Sequence, residues 1–127
     1  MSKTILIIDD DDDIREVAQL TLELGASWNV VAANSGASGV DAAVAHHPDA
    51  ILLDVMMPGM DGPATLDRLQ QDERTREIPV VFLTAKARTS ERERLESFRV
   101  AGVLDKPFDP TKLPTQLASL LGWETTS

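Results

Sequence analysis

Several residue types are missing from this chain of 127 residues or are rare in it. Cysteine is absent, which excludes disulfide bonds and thiolate metal sites. Aromatic residues make up only 4% of the composition, so a core has to be built from Ile, Leu, Val and Ala. Such a core suits parallel strands that are buried on both faces, and a hydrophobic content of 43% is enough for one core.

Basic residues are also scarce. The chain has 12 Lys and Arg against 21 Asp and Glu, which gives a formal net charge of -9. A surface of this sign repels nucleic-acid phosphates and anionic membranes. We therefore expect neither nucleic acid nor a membrane among the partners.

Long apolar runs are absent as well. The first run, Ile5 to Ile8, is followed by five consecutive aspartates and is too short for the apolar region of a signal peptide. No later stretch approaches the length of a membrane span. We expect a cytoplasmic protein in which residues 1–127 form a single domain, without a linker or an output domain.

Strand-like apolar runs alternate with helix-like segments about five times along the chain. The predicted strands are Ile5 to Ile8, Asn29 to Ala33, Ala50 to Asp54, Val80 to Leu83, and Val103 with Leu104. Strands separated by helix-length segments form right-handed βαβ units. The predicted fold is therefore α/β: a doubly wound, five-stranded parallel sheet with helices on both faces.

The helix boundaries follow from capping residues and prolines. The predicted N-caps are Asp13 and Ser35, Gly25 is the predicted stop of the first helix, and Pro63 is the predicted first residue of the third. The inward-facing residues predicted for the first helix are Ile14, Val17, Ala18, Thr21 and Leu24. A charged fourth helix is predicted from Arg88 to Val100, and Pro110 and Pro114 compete as the start of the last helix.

Four of the predicted strands end at a residue suited to phosphate chemistry. These residues are Asp9 with Asp10, Asp54, Thr84, and Lys106 in the sequence Asp105-Lys106-Pro107. The carboxyl ends of parallel strands lie along one edge of the sheet, where open α/β sheets bind their ligands. We therefore expect three carboxylates, a hydroxyl and an ammonium to converge there.

Three carboxylates in close proximity repel one another unless a cation lies between them. Oxygen ligands favour a hard ion, and Mg²⁺ fits best because it also bridges to phosphate. A carboxylate can then attack a phosphoryl group. Asp54 is the best candidate, because it stands alone at the end of the central strand, whereas only part of the Asp9–Asp10 pair is expected to point at the same spot.

Two further side chains would complete phosphoryl binding. Lys106 would pair with the phosphoryl oxygens as a point charge, and the Thr84 hydroxyl would donate a hydrogen bond to one of them. A cis peptide bond at Lys106–Pro107 is one way to fix the lysine, although cis is the minority state of any X-Pro bond.

Four motifs in this chain resemble those of the receiver domain of two-component response regulators. They are IIDDD at residues 7–11, LLDVMMPGMDG at 52–62, FLTAK at 82–86 and DKPF at 105–108. The resemblance extends in order over nearly the whole chain. It implies a flavodoxin-like fold like that of stand-alone chemotaxis regulators, and phosphorylation of Asp54 by a sensor histidine kinase or a phosphotransfer protein.

The resemblance also implies site residues and behaviour. Magnesium, with manganese as a substitute, would be held by Asp10, Asp54 and the Met56 carbonyl, with Asp9 assisting through water. Thr84, the Ala85 backbone amide and Lys106 would hold the phosphoryl group. Such a domain is not an enzyme beyond its own phosphorylation and dephosphorylation. It would signal to an unknown downstream protein through the fourth helix, fifth strand and fifth helix, as a monomer or a phosphorylation-dependent dimer.

The chain departs from the family pattern at Val103, where receivers commonly carry Tyr or Phe. The phosphorylation chemistry does not need that ring. Because Val103 has no ring, the switch step in which an aromatic side chain changes its rotamer is in question. The signal would instead depend on movement of Thr84 and the loop that follows it.

Two alternatives stay open. Asp9-Asp10-Asp11 contains the Asp-x-Asp pattern of haloacid-dehalogenase-like phosphohydrolases, in which Asp9 would be the nucleophile. The chain could also be a degenerate receiver that only binds partners.

We interpret Asp11 to Asp13 as a solvated helix start, and Trp28 and Trp123 as packing at the edge of the fold. We interpret His46 and His47 as surface residues near the C-terminus of a helix. Among Met56, Met57 and Met60, we expect one or two to fill space beside the site.

Overall fold

The computed structural model of this chain describes residues 3–85 and 89–123, apart from the side chain of Thr89. Strands and helices alternate along it: β1 (Thr4–Ile8), α1 (Asp12–Ala26), β2 (Asn29–Ala33), α2 (Gly36–His46), β3 (Ala50–Asp54), α3 (Gly62–Gln71), β4 (Val80–Thr84), α4 (Thr89–Glu96), β5 (Gly102–Asp105) and α5 (Leu113–Leu121). The predicted alternation is confirmed. The bounds predicted for β2 and β3 agree with the structure.

The five strands form one parallel sheet in the order β2-β1-β3-β4-β5. β3 lies at the centre, and all five of its residues are buried. Because every strand runs in the same direction, the carboxyl ends of β1, β3, β4 and β5 lie along one edge. The predicted doubly wound α/β fold is confirmed, and this edge is where the candidate site residues are placed.

Alternate residues of each strand enter two hydrophobic clusters, one on each face of the sheet. On one face, Leu6, Leu53 and Phe82 lie with buried residues of α2, α3 and α4, among them Val40, Ala43, Leu66, Leu69 and Leu95. On the other, Ile7, Leu52 and Val81 lie with residues of α1 and α5, among them Ala18, Leu22, Leu113 and Leu117. This period of two is what a strand covered on both faces requires.

The first helix begins earlier than predicted. Its N-cap is Asp11, whose carboxylate accepts hydrogen bonds from the backbone N–H groups of Asp13 (2.9 Å) and Ile14 (3.2 Å). Asp13 is therefore inside the helix. Gly25 does not stop it, because the chain turns at Ser27, which has a positive φ of 57°.

The inward face of α1 was also partly mispredicted. Val17 and Leu24 are 40% and 82% exposed, and Leu20 is exposed beside them. The buried residues of the helix are Ala18 and Leu22, one turn apart. Apolar residues occur on two faces of this helix, and only one of those faces can lie against the sheet.

The other helix ends largely follow the predicted caps. The Ser35 hydroxyl caps α2, and the helix ends at His46 before His47 turns the chain with a φ of 47°. Asp61 caps α3, so Pro63 is the second helical residue rather than the first. The last helix starts at Leu113 with Pro114 in its first turn, which decides between the two competing prolines.

The fourth helix is shorter than predicted. Its first described residue is Thr89, since the predicted start at Arg88 lies outside the described residues, and it ends at Glu96. Phe98 lies beyond the helix and packs edge-on against Phe82. Among the described helices, none is long and apolar enough to cross a membrane.

The two tryptophans meet at the edge of the fold, as predicted. Trp28 and Trp123 form an edge-to-face pair with ring centroids 5.3 Å apart. The Lys3 ammonium lies 4.8 Å from the ring centroid of Trp123. Trp28 immediately precedes β2 and Trp123 follows α5, so the pair ties the two elements together.

At the start of α3 the helix backbone lies close to the end of β3. A Cβ atom on Gly62 would lie 2.7 Å from the Val55 Cα and 2.8 Å from the Asp54 carbonyl oxygen. We predict that Gly62→Ala lowers the free energy of unfolding by about 1–3 kcal/mol, because backbone atoms cannot move aside as a flexible side chain can. Urea denaturation followed by circular dichroism measures this loss.

Gly25→Ala is the matched control. Its new Cβ would meet only the Pro114 Cγ within 4 Å, at 3.2 Å, and alanine is the better residue within a helix. We expect a clearly smaller loss or a gain. Equal losses in the two variants would contradict the close-approach explanation.

Candidate functional site

The polar residues that follow the strands converge at the carboxyl edge of the sheet. Asp9 follows β1, Asp54 ends β3, Thr84 ends β4 and Lys106 follows β5. Asp9, Asp54 and Thr84 are 0%, 3% and 1% exposed, and Lys106 is half-buried. Neighbouring strands supply neighbouring side chains, so sheet pairing alone accounts for their convergence.

Three carboxylates form a cluster at the carboxyl edge of the sheet. One oxygen of each of Asp9, Asp10 and Asp54 lies within 4.8 Å of the others. The expectation that Asp9 and Asp10 would diverge was therefore wrong. Both residues lie beyond Ile8, the last residue of β1, where the chain no longer alternates as it does in a strand. Because Asp10 is exposed, the cluster is open to solvent on one side.

Lys106 lies between the two buried carboxylates. Its Nζ atom is 2.9 Å from Asp9 Oδ2 and 3.0 Å from Asp54 Oδ1. Burial by itself would lower the pKa of the ammonium, but its contacts with Asp9 and Asp54 outweigh burial and raise that pKa. The Lys106 backbone N–H donates to the Thr84 carbonyl at 2.7 Å, and the Lys106–Pro107 peptide bond is cis.

Two of the three oxygens of Asp9 accept hydrogen bonds. Its Oδ1 accepts a hydrogen bond from the Asp11 N–H at 2.9 Å, and its carbonyl oxygen accepts one from Arg15 at 2.8 Å. Its Oδ2 is buried and, within the described part of the chain, accepts no well-aligned hydrogen bond although the Lys106 ammonium is close. A buried carboxylate oxygen with this unused capacity, beside two more carboxylates, fits a bound cation.

The carboxylate of Asp54 is poorly stabilised in this site. Burial is the largest cause that raises its pKa, from an ordinary value of 3.8 to about 6. The hydrogen bond with Lys106 lowers the pKa and the neighbouring charge of Asp9 raises it again. A cation at the cluster would offset both the burial and the repulsion, so the ionised form of Asp54 fits a site that holds a metal ion.

The remaining predicted site residues lie around this centre. Met56 is 62% exposed two positions after Asp54, whereas Met57 is buried in the core. Ala85 is exposed next to Thr84. Val103 is buried in the cluster on the α2-α3-α4 face of the sheet, so it packs as an aliphatic core residue. The metal-ligand role of the Met56 carbonyl and the phosphoryl-binding roles of Thr84 and Ala85 stay predictions.

Residues given a structural interpretation lie outside the cluster. Asp12 and Asp13 are exposed in the first turn of α1, and Asp11 is its cap. His46 and His47 are exposed at the C-terminal end of α2, which lies toward the opposite edge of the sheet.

Arg15 was missed by the sequence analysis. It donates to the Asp9 carbonyl and forms an ion pair with Asp12. Its place six residues after Asp9, at the end of the first turn of α1, is the only signal that the sequence offers.

Comparison with known proteins gives a consistent result. A family model described as a response regulator receiver domain matches residues 5–118. The DNA-binding dual master transcriptional regulator RpaA of Synechocystis is 38% identical over 117 residues, which cover 92% of this chain and 48% of RpaA. The chain thus spans about half the length of this relative.

Two shorter proteins match over nearly their whole length. The polar-differentiation response regulator DivK of Brucella abortus is 29% identical over 122 residues, covering 96% of this chain and 98% of DivK. A crystal structure of the chemotaxis protein CheY4 of Vibrio cholerae superposes with a TM-score of 0.85 at 26% identity, covering 94% of this chain and 99% of CheY4.

The raised pKa of Asp54 leads to a pH-dependent stability. With chelator present, we predict that Asp54→Asn is more stable than wild type at pH 7.5 by about 1–3 kcal/mol, because the ionised carboxylate is buried near Asp9. Between about pH 6 and pH 4 folded wild type binds a proton that the unfolded chain does not yet bind, so wild type gains stability as the pH falls. The difference between the two proteins should therefore shrink over that range.

Urea denaturation at several pH values measures this difference. Asp41→Asn, on the exposed side of α2, controls for the loss of one negative charge. An Asp54→Asn advantage that is the same at pH 4 and pH 7.5 would contradict the assignment to the buried carboxylate.

Proposed function

Because this chain belongs to the response regulator receiver domain family, we propose that it is a phosphoacceptor module of a two-component system that takes a phosphoryl group onto Asp54. The observation that carries the proposal is the contact between Lys106 and the buried Asp54 carboxylate, 3.0 Å apart, within a cluster of three aspartates. The module would signal by altering a protein-binding surface.

The proposed reaction is an in-line phosphoryl transfer. A carboxylate oxygen of Asp54 attacks phosphorus, an acyl phosphate bond forms, and the bond between phosphorus and the donor atom breaks. The donor keeps the electron pair of that bond. Water later attacks the same phosphorus, releases inorganic phosphate and restores the Asp54 carboxylate, so the module dephosphorylates itself and acts on no other substrate.

Residues of this chain would position the phosphoryl group and neutralise its negative charge. Lys106 pairs with Asp9 and Asp54 before transfer and can then pair with a phosphoryl oxygen without leaving the site. The Thr84 hydroxyl and the Ala85 backbone amide would donate hydrogen bonds to the other phosphoryl oxygens. Mg²⁺, or Mn²⁺ in its place, held by Asp9, Asp10, Asp54 and the Met56 carbonyl, would neutralise charge on the phosphoryl oxygens.

The proposed partners follow from the family and the charge. The phosphodonor is a sensor histidine kinase or a phosphotransfer protein, and the receiver of the signal is a protein that contacts α4, β5 and α5. RpaA is named as a DNA-binding regulator, but the net charge of -9 supports a protein partner for the residues of this chain. We place the module in the cytoplasm, as a monomer or as a dimer that forms on phosphorylation.

The phosphohydrolase alternative requires Asp9 as the nucleophile. In the structure Asp9 is fully buried, its Oδ1 accepts the Asp11 N–H, and its Oδ2 faces Lys106. The family match over residues 5–118 also favours the receiver. Neither observation bears on the binding-only alternative, which the first experiment decides.

The first test is the intact mass after incubation with acetyl phosphate. We expect one phosphoryl adduct that requires Mg²⁺, is present in wild type and in Asp13→Asn, and is missing in Asp54→Asn. Asp13 is a fair control because it is an exposed carboxylate outside the cluster. Labelling of Asp54→Asn, or turnover of para-nitrophenyl phosphate, would favour the phosphohydrolase; neither labelling nor turnover in wild type would favour a binding module.

The role of Lys106 can be tested in the same assay. Lys106→Ala should slow adduct formation by about a hundred- to a thousandfold, since losing one preorganised group that stabilises charge in the transition state costs on that order. Lys112→Ala removes an exposed lysine next to α5 and should label like wild type. Equal rates of adduct formation in the two variants would contradict the proposed charge pairing.

A further inference from the structure

The helix α4 is weakly anchored to the rest of the fold. Its described part, Thr89–Glu96, has eight residues, which is too few for a helix to be stable alone. Leu95 is its one apolar residue. Leu95 is its one buried side chain among those described. The position of α4 therefore depends on whatever polar contacts it makes with its neighbours.

Arg92 supplies such a contact, and it makes it with β5. One guanidinium nitrogen lies 2.8 Å from Asp105 Oδ1, and another donates to the Val103 carbonyl oxygen at 2.7 Å. The planar fork of arginine thus reaches two residues of one strand at once. We call this set of contacts, from Arg92 to Asp105 and Val103, the Arg92 clamp.

The Arg92 clamp holds the end of the strand that carries Lys106. Asp105 is the residue directly before Lys106, whose ammonium contacts Asp9 and Asp54. The Lys106 backbone N–H donates a hydrogen bond to the Thr84 carbonyl at the end of β4. A shift of Lys106 toward a new anion would therefore act on the same short stretch of backbone that Arg92 holds.

Stability does not explain the clamp. The side chains of Arg92 and Asp105 are 36% and 50% exposed, and ion pairs this exposed contribute little to the free energy of unfolding. Val103, the other residue of the clamp, is an aliphatic core side chain with no ring to reorient. Its carbonyl oxygen accepts the hydrogen bond from Arg92 of α4.

We propose that the Arg92 clamp couples the phosphoryl site to α4, so that the state of Asp54 is transmitted through Lys106 and the end of β5 to the position of that helix. The inference rests on the proposed phosphorylation of Asp54. Coupling of this kind is reciprocal, so a partner that displaces α4 also changes the phosphoryl site. Arg92 acts here as a positioning residue and does not touch the phosphoryl group.

Hydrogen–deuterium exchange of the α4 amides tests the clamp, with and without acetyl phosphate and Mg²⁺, in samples whose phosphorylation is checked by intact mass. In Arg92→Gln we expect α4 to exchange about two- to fivefold faster than in wild type before phosphorylation. The further change on phosphorylation should be much smaller than in wild type, while Asp54 is labelled normally.

Arg94→Gln is the matched control. It removes the same charge from the same helix, but its partners are Glu91 in α4 and the ring of Phe98, not β5. It should keep the wild-type response. Asp105→Asn should reproduce part of the Arg92→Gln effect, because it leaves the hydrogen bond from Arg92 to the Val103 carbonyl in place. The double variant should be no worse than Arg92→Gln alone, since that change already breaks both contacts.

The outcomes separate the two proposals. If wild type takes up no phosphoryl group, the proposed function fails, and the coupling role of the clamp is overturned with it. If all variants are labelled and Arg92→Gln keeps the wild-type α4 response, the clamp alone is overturned. A loss of response in Arg94→Gln equal to that in Arg92→Gln would also overturn it, since helix charge would then be the cause.

Discussion

Two carboxylates, Asp9 and Asp54, are buried at the end of the sheet, and one ammonium, that of Lys106, lies within 3.0 Å of both. One positive charge cannot fully compensate two negative ones, so the site keeps a surplus of negative charge in the protein interior. Burial is the main reason that the pKa of Asp54 is raised, and the neighbouring charge of Asp9 raises it further. The surplus negative charge favours a bound cation, which would in turn neutralise charge on an incoming phosphoryl group. The rest of the fold serves to hold these three side chains in place.

The sheet provides that support without special devices. β1, β3 and β4 are paired neighbours whose residues are almost entirely buried, and β5 completes the row. A buried strand cannot shift its register without moving its side chains to the wrong face. The strands that carry Asp9 and Asp54 are thereby fixed by hydrophobic packing. Together with the Lys106 ammonium and the Asp11 N–H, this packing holds the two carboxylates near each other despite their mutual repulsion.

Much of this could be predicted from the sequence, because it depends on patterns that a strand or a cap imposes locally. Apolar runs that end at Asp54 and Thr84 define both the strands and the site residues, since parallel strands bring their ends together. The correct cap of α1 could not be selected among consecutive aspartates, because each has the same capping chemistry and only the end of β1 decides. Val17 and Leu24 were misplaced because α1 has two apolar faces. The contacts of Arg15 and Arg92 join residues through side-chain geometry, which no spacing rule gives.

The edge-to-face pair of Trp28 and Trp123 has a practical consequence. Both tryptophans of the chain lie at the amino edge of the sheet, and a five-residue strand separates that edge from the aspartate cluster by about 16 Å. Intrinsic fluorescence of this protein will therefore follow the unfolding of the β2 and α5 ends, with little direct quenching from an ion bound at the aspartates. Folding can therefore be followed by tryptophan fluorescence, while occupancy of the site is followed in the same sample by a dye or label near the carboxyl edge.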